Sequence, residues 1–572
     1  MLGAIAQGVG AVGKRGSGAR DHHPLALGAS NSTSRPSDLG SSSLTQLGAT
    51  GPGDAHATSS GNPSPSGHVE NTVDRSETTD PSASSTQATD SSSTSASAAD
   101  SHTHDTTSSP PAVASGTIQL SGTIPQTIVH SGQVATIVGD LALQGDLLIE
   151  GVLTGISIFR IEGNGHQIEV RNGGQVDLQG IPKSGWVRGV NPSGWQAGDR
   201  VLTAPAGVGE YGAGGFHAGS PEVVTMADGR SIAAEQFNLT RSIVIDNVSR
   251  FMFHLGAGRQ VLKHLAVTNS GVAGELGFYP IHFHKNGDTT RGSLVEGVVV
   301  ENGRFHAFVP HASHGITFLD CVAYNTTEHA YWWDSPPSDG DTSNDTRDVV
   351  WQHCLAALVS TPSKGHRLAA FVLGASSGNR CIDCTAVAVQ GGKNSSGFVW
   401  PEKGHGIWEF RGCVAHNNES NGIFVWQNTD TQNSINDFIA YRCGRAGVEH
   451  GAYVNSFKYV NLTISDTATA VISHALSAQG GLVFDRVVTN CPLVIGKHSR
   501  PSSNPVVYSS CRFSQVVFEE TVNGDSEPGR HELIETGLQP QAIDVSAIHP
   551  DTVARIVERG QVVAEWSAGS WK

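Results

Sequence analysis

From Gly116 onward, apolar and polar residues alternate in short stretches broken by Gly and Asn. The segment ATIVGDLALQGDLLIEGVLTGISIFRIEGNGHQIEVRNGGQVDLQG predicts five or six brief strands with turn residues every 7–10 positions. Long helical periodicity is absent, so the chain is expected to be all-β. Farther along, LVEGVVVENGRFHAFV, ITFLDCVAYNTTEHAYWW, VVWQHCLAALV, NRCIDCTAVAV, IWEFRGCVAHNNESNGIFVW and INDFIAYRCGRAGVEHGAYV align as repeats. Within them Cys321, Cys354, Cys384, Cys413 and Cys443 recur at separations of 33, 30, 29 and 30. One apolar cysteine per unit, each on a short strand followed by an Asn/Gly turn, predicts the stacked rungs of a right-handed parallel β-helix. An in-register column of buried thiols needs no cross-link. Rungs about 4.8 Å apart also leave disulfides open as the alternative.

Before Gly116 the pattern disappears. No Phe, Tyr or Trp precedes Phe159, and Ser30 to Pro110 is a run of Ser, Thr, Asp, Gly and Ala. Such a segment buries too little apolar surface to offset its chain entropy, so residues 1–114 are expected to be a disordered Ser/Thr-rich tail or stalk. A stalk of that composition suggests an extracellular or cell-surface protein, although no export signal is recognisable. Lys14 and Arg15 follow the first apolar run instead of preceding it. No window of about 18 apolar residues predicts a membrane span. The charge balance of 36 Lys+Arg against 52 Asp+Glu, net −16, excludes a basic nucleic-acid binder.

The chemistry concentrates in GFYPIHFHKNGD, Gly277 to Asp288. Alternate side chains of a strand share a face. This alternation predicts Tyr279, Ile281 and Phe283 inside the coil and His282 and His284 outside. In the next unit, GRFHAFVPHASHG, it places Phe305, Ala307 and Val309 inside and Arg304 and His306 outside, with His311 and His314 on the following turn. In TTEHAYWWD it places Ala330 and Trp332 inside and His329, Tyr331 and Trp333 outside. His282, His306 and His329 are separated by 24 and 23, one coil each, so their side chains are expected to form a wall beside Asp288, Glu328 and Asp334. The same count would add His353, but the cysteine register sets it opposite Asp320.

A wall of imidazoles, a guanidinium and aromatic faces suits a polysaccharide. Aromatic rings stack on sugars, an Arg fork pairs with a uronate carboxylate, and carboxylates or His transfer protons. The His282-x-His284 pair is also a metal-ligand spacing, with His306, His311 or Asp288 as further ligands. SDGDTSNDTRD resembles the start of a calcium loop but lacks its turn Gly and closing Glu, which favours a solvated loop. Cys381-x-x-Cys384 lacks a second pair and carries little metal or redox signal. Near the C-terminus, ARIVERGQVVAEW predicts a hairpin turning at Arg559–Gly560.

YPIHFHKNGD, Arg304 with HASHG, EHAYWWD and VVWQHCLAALV resemble the β-helix of the cell-migration-inducing and transmembrane hyaluronidase family, which fibrocystin-like proteins also resemble. GDLLIEGVL with IEVRNGGQVDLQG and GWQAGDRVLTAP resembles that family's G-eight domain. The resemblance, from about Gly116 to Val460, implies a G-eight-like β domain over 115–245 and a parallel β-helix over 246–528, leaving 529–572 as a C-terminal hairpin or cap. It also implies binding or depolymerisation of hyaluronan outside the cell, with calcium dependence. Its motif positions here are Tyr279, His282, His284, Gly287, Asp288, Arg304, His311 and His329.

The leading expectation is a hydrolase of a uronate-containing polysaccharide. Asp288, Glu328, His329 and Asp334 are the acid–base candidates, with Arg304 holding a carboxylate. Tyr279, His311, Tyr331 and Trp333 would contact substrate. His282, His284 and His306 would hold a divalent metal, calcium by the resemblance or a transition metal by the imidazole cluster. No organic cofactor is indicated. A polysaccharide lyase and a non-catalytic glycan-binding protein are the alternatives. Because the mean field of the chain repels a polyanion, binding would rest on a local patch such as Arg304, Lys285 and Arg291.

Overall fold

The computed structural model describes residues 116–332, 346–373, 378–400, 406–425, 433–451, 457–474, 481–496, 504–519 and 528–572. The tail expected over residues 1–114 lies outside them, as do Trp333, Asp334 and most of the SDGDTSNDTRD segment.

The chain is a parallel β-helix. Nearly every strand pairs in parallel with one from the rung before and one from the rung after, as Thr317–Leu319 does with Leu294–Glu296 and Val350–Gln352. Two columns of such strands share one long sheet, and the third side of the coil is built from Ile168–Val170, Phe251–His254, Ile281–Gly287 and Phe308–Ser313. That third side continues through a single bridging residue, Tyr331, which pairs with Phe308 below and Phe371 above. The sheets run without interruption through residues 245–246, where Phe159–Glu162 pairs with Ile243–Asp246.

The corners explain why this sequence coils. A strand must turn sharply at each one, and left-handed backbone does so where a short polar side chain or Gly tolerates it. Asn247, Asn269, Asn302 and Asn325 all sit near φ +50° in successive rungs. Their amides form a ladder: Asn269 donates to Asp246 (2.7 Å), Asn302 to Asn269 (3.1 Å) and Asn325 to Asn302 (2.7 Å). A second corner carries Gly297, Asp320, His353, Asp383 and Gly412, again one left-handed residue per rung. There His353 Nδ1 lies 3.0 Å from Asp320, the neighbour the cysteine register predicted.

The interior holds the expected thiol column. All eight cysteines are free and buried. Aromatic rings stack beside them, with Phe308, Tyr331, Phe371 and Phe398 at centroid separations of 4.9, 4.4 and 5.0 Å.

Between the rung strands Gln175–Gln179 and Ile243–Asp246, the chain leaves the coil to form a small antiparallel sheet of Trp186–Arg188, Val201–Thr203 and Glu235–Asn238. Trp186, Phe237 and Leu239 pack on the outer surface of the coil against Ala266, Val299, Val322, Leu355 and Val387. The attachment is fixed by a buried charge network. Glu235 accepts from Arg188 (2.8 Å) and lies 2.7 Å from His416 Nε2, with both Glu235 and His416 fully buried. Burial pushes the Glu235 carboxyl up, but His416 and Arg188 outweigh it and hold its pKa at about 2. At the other end, Val553–Glu558 and Gln561–Ser567 form the expected antiparallel hairpin, turning through Arg559 and Gly560 at φ 50° and 72°.

Candidate metal centre

Two strands on the third side of the coil bring three histidines together. Ile281 and Phe283 point into the core, so His282 and His284 point out. The neighbouring strand is in register, with His282 opposite Val309 and His284 opposite His311. One ligand atom from each of His282, His284 and His311 lies within 4.8 Å of the other two. The ring centroids are 4.9 Å apart for His282–His284 and 4.8 Å for His284–His311.

The local backbone holds this edge. Leu255, Lys285 and Ala312, each directly following His254, His284 or His311, adopt φ of 47°, 51° and 43°. Each strand therefore turns immediately after its histidine. His254 completes the column one rung below, paired in register with His284, and its Nε2 lies 2.6 Å from Glu169. That contact, with Arg250 and Arg171 nearby, holds the Glu169 carboxyl below its ordinary range against its burial.

Orientation prepares His282 for a cation. Its Nδ1 lies 3.1 Å from the Gly277 carbonyl. A carbonyl can only accept, so Nδ1 carries the proton and Nε2 is the nitrogen that would reach a metal. Three imidazoles with no carboxylate among them fit zinc or a similar transition metal, in the arrangement of three protein ligands and an open fourth position. Calcium requires six to eight oxygen ligands, so the donor set departs from the calcium that the resemblance implies.

His306 does not join the three, which corrects the expected ligand set. Val309 occupies the position opposite His282, because the count of 24 residues ends in a corner and not in the strand. His306 is instead buried between Tyr279, Trp332 and His329, with centroids at 5.2, 3.9 and 5.2 Å. Burial first, then the neighbouring His329 and His366, drive its pKa well below the ordinary imidazole value.

From His329 the cluster extends to a residue that the sequence did not single out. His366 Nε2 lies 3.2 Å from His329 Nε2 and 3.1 Å from Glu328 Oε2. The other oxygen of Glu328 accepts from the Thr361 hydroxyl at 2.6 Å. Burial, followed by His366, also pushes the His329 pKa far down. A continuous band of rings thus joins the three histidines to Glu328, running His282, Tyr279, His306, His329, His366.

Residues 248–345 match the CEMIP beta-helix family model. The match spans the three histidines, His306, Glu328 and His329, and does not reach 115–245 or His366. No curated protein matches the chain. Among solved structures, the Siphovirus 9NA tailspike receptor-binding domain is similar at 11% identity, covering 77% of this chain and 76% of that one, TM-score 0.23. The receptor-binding protein of bacteriophage Det7, a podoviral tailspike in a myovirus, shows 10% identity, coverages of 75% and 72%, and TM-score 0.22. The GH136 lacto-N-biosidase from Eubacterium ramulus shows 9% identity, coverages of 75% and 62%, and TM-score 0.18.

The remaining expected site residues scatter. Tyr331 is a correction: it lies in the coil interior, fully buried, while Trp332 takes the outward place against Phe305 and Val309. Phe305, Val309 and Tyr279 are likewise outside the coil core, though buried in their own small cluster. Alternation fails here because each corner shifts the phase: Ala307 and Phe308 both face inward, as do Ala330 and Tyr331. At 1% exposure, Tyr279 offers no face for a sugar. Asp288 stands on an exposed turn, where the hydrogen bond from Arg291 (2.7 Å) holds its carboxyl below the ordinary range. That bond occupies Asp288, and Arg291 also pairs with Asp348 (2.9 Å). Arg304 is exposed and donates to Asn247 at 3.2 Å.

The strand FMFH carries its histidine just before a left-handed residue, as IHFH does, so His254 was detectable by pattern. Nothing in TPSKGHRL marked His366.

Proposed function

We propose that this protein is an extracellular, metal-assisted glycan depolymerase that hydrolyses a uronate-containing polysaccharide of the hyaluronan type. The observation carrying this reading is the convergence of His282, His284 and His311 on an outward face that continues to Glu328, His329 and His366. The location of His282, His284, His311, Glu328 and His329 within the CEMIP beta-helix match adds support. His282, His284 and His311 would hold the metal, and His254 with Glu169 would brace the column beneath them. A zinc-type ion held there would supply Lewis acidity, making a nearby water more acidic. Trp332, half-buried at the rim, offers the aromatic surface for a sugar ring. Arg304 is the accessible guanidinium for a uronate, because its present contact is only a neutral amide. Glu328, held by the Thr361 hydroxyl and facing His366, is the carboxylate of the acid–base group.

The test is mass spectrometry of products after the full chain is incubated with hyaluronan, with and without a chelator. Saturated oligosaccharides carrying one added water are expected, lost with chelator and restored by zinc. H284A or H311A should lower bound zinc by 10-fold or more and abolish cleavage. Unsaturated ends would replace hydrolysis by elimination. Intact polymer under every condition would overturn the depolymerase reading and leave a binding protein.

A further inference from the structure

The surroundings of His366 assign it a role that the three-histidine centre does not cover. His366 lies on the loop between Leu355–Ser360 and Ala369–Val372, folded back by a hydrogen bond from its own N–H to the Ser363 carbonyl (3.1 Å). The same loop is pinned to the next rung, where Lys393 N–H donates to the His366 carbonyl (2.7 Å). Its imidazole is 35% exposed, whereas Glu328 is 12% exposed and His329 and His306 behind it are buried. His366 is therefore the member of the cluster that a ligand can touch.

Its Nε2 has a partner for either protonation state. When Nε2 carries a proton, the Glu328 carboxylate accepts it at 3.1 Å. When Nε2 is bare, it can accept from His329 Nε2 at 3.2 Å. That second arrangement is available because Ala369 presents both its N–H and its carbonyl to His329 Nδ1, each at 3.2 Å, so the His329 proton can stand on either ring nitrogen. Glu328 is itself locked: Thr361 holds its other oxygen, its N–H donates to the Ser360 carbonyl at 2.7 Å, and its backbone sits at φ 64°. A Glu held in left-handed backbone without the local hydrogen-bonding benefit of Asn is a strained residue retained by its surroundings.

We propose that His366 is the proton donor to the leaving oxygen of the polysaccharide, with Glu328 and His329 as positioning residues for its charged and neutral states. The inference rests on the depolymerase reading above. In the step, the bond between the anomeric carbon and the glycosidic oxygen breaks and its electron pair stays on that oxygen, which takes the Nδ1 proton of the charged imidazole while the Nε2 side stays with Glu328 and His329. A water oxygen bonds to the anomeric carbon, its surplus proton passes to solvent, and His366 is recharged from solvent. The groups facing His366 are Glu328, His329 and, behind them, His306. Lys364 and Arg367 lie on its own loop, and Lys393 lies on the next.

The experiment compares the full-length chain with H366Q, H366G and E328Q on hyaluronan across pH. Positioned proton transfer is worth about 10²–10⁴-fold, so H366Q should lose that much in kcat with little change in KM or zinc content. Added imidazole should restore part of the H366G rate. E328Q should lower kcat with little change in KM, because the imidazole loses the carboxylate that holds it. A wild-type rate in H366Q, or an inactive folded H366G that imidazole does not rescue, overturns the proton role alone. Should the His366 variants fail to fold, a wild-type kcat in E328Q overturns it. A wild-type chain that leaves the polymer intact overturns the depolymerase reading instead, and the proton role with it.

Discussion

At the scale of single residues, neighbouring side chains one position apart have opposite fates, and the difference is measurable. Tyr331 stacks between Phe308 and Phe371 in the core, and its hydroxyl makes a long contact of 3.4 Å to the Leu355 carbonyl and lies beside the Cys354 thiol. Replacing a buried aromatic by Ala costs about 3–5 kcal/mol, so Y331A should lower the melting temperature by several degrees. Y331F should be close to neutral. A Y331A protein of wild-type stability would place Tyr331 back on the surface, where the alternation of EHAYWWD puts it. That misplacement is instructive. Strand alternation is a local rule, and it holds for IHFH because the corner comes only after His284. It breaks at Ala307–Phe308 and Ala330–Tyr331 because the inward pair spans a corner.

At the scale of elements, the corners are where sequence and coil meet most directly. The Asn ladder combines two separable effects: tolerance of left-handed backbone and amide bonds between rungs. In N302G the backbone preference survives and only the ladder bonds are lost, about 1 kcal/mol each. In N302A both are lost, and left-handed Ala adds a further cost of about 1–2 kcal/mol. Chemical denaturation should therefore rank the wild type above N302G and N302G above N302A. Equal stabilities for the two variants would mean that the backbone geometry contributes nothing. The ladder was visible as Asn/Gly turns, but its pairing was not. Which Asn donates to which depends on the rung length, and loops between rungs vary that length without changing the local motif.

At the scale of the whole molecule, the insert is held on the coil by charges that titrate. Glu235 has a folded pKa of about 2 against 4.5 ordinarily, so it remains ionised where the unfolded chain takes up a proton. Its contribution is complete above pH about 4.5 and is lost as pH falls toward 2. His450, fully buried, is lowered by its burial from 6.5 to about 3, and it stays neutral where the unfolded imidazole charges. Stability is therefore expected to fall from pH about 6.5 downward through His450, and more steeply below about 4.5 through Glu235. Melting temperatures recorded from pH 8 to 3 should show both limbs. E235Q should destabilise the protein at pH 7 by about 3 kcal/mol, since it leaves the half-buried Arg188 guanidinium without its carboxylate, and should flatten the lower limb. A lower limb as steep in E235Q as in the wild type would assign acid sensitivity to other carboxylates.

The sequence by itself determined the class of fold. Short alternating strands, Asn/Gly corners and one cysteine per unit admit a parallel coil and little else, because each is a local property that stacking simply repeats. It also determined the outward pair His282 and His284, which one strand fixes. The tertiary structure decided the third histidine, through a register that selects His311 and leaves His306 among aromatics. It alone brought Glu169 to His254, and His366 to Glu328 and His329. Those contacts join residues of different rungs, 85, 38 and 37 positions apart, and their approach is set by how far each loop carries the chain before it returns to the coil.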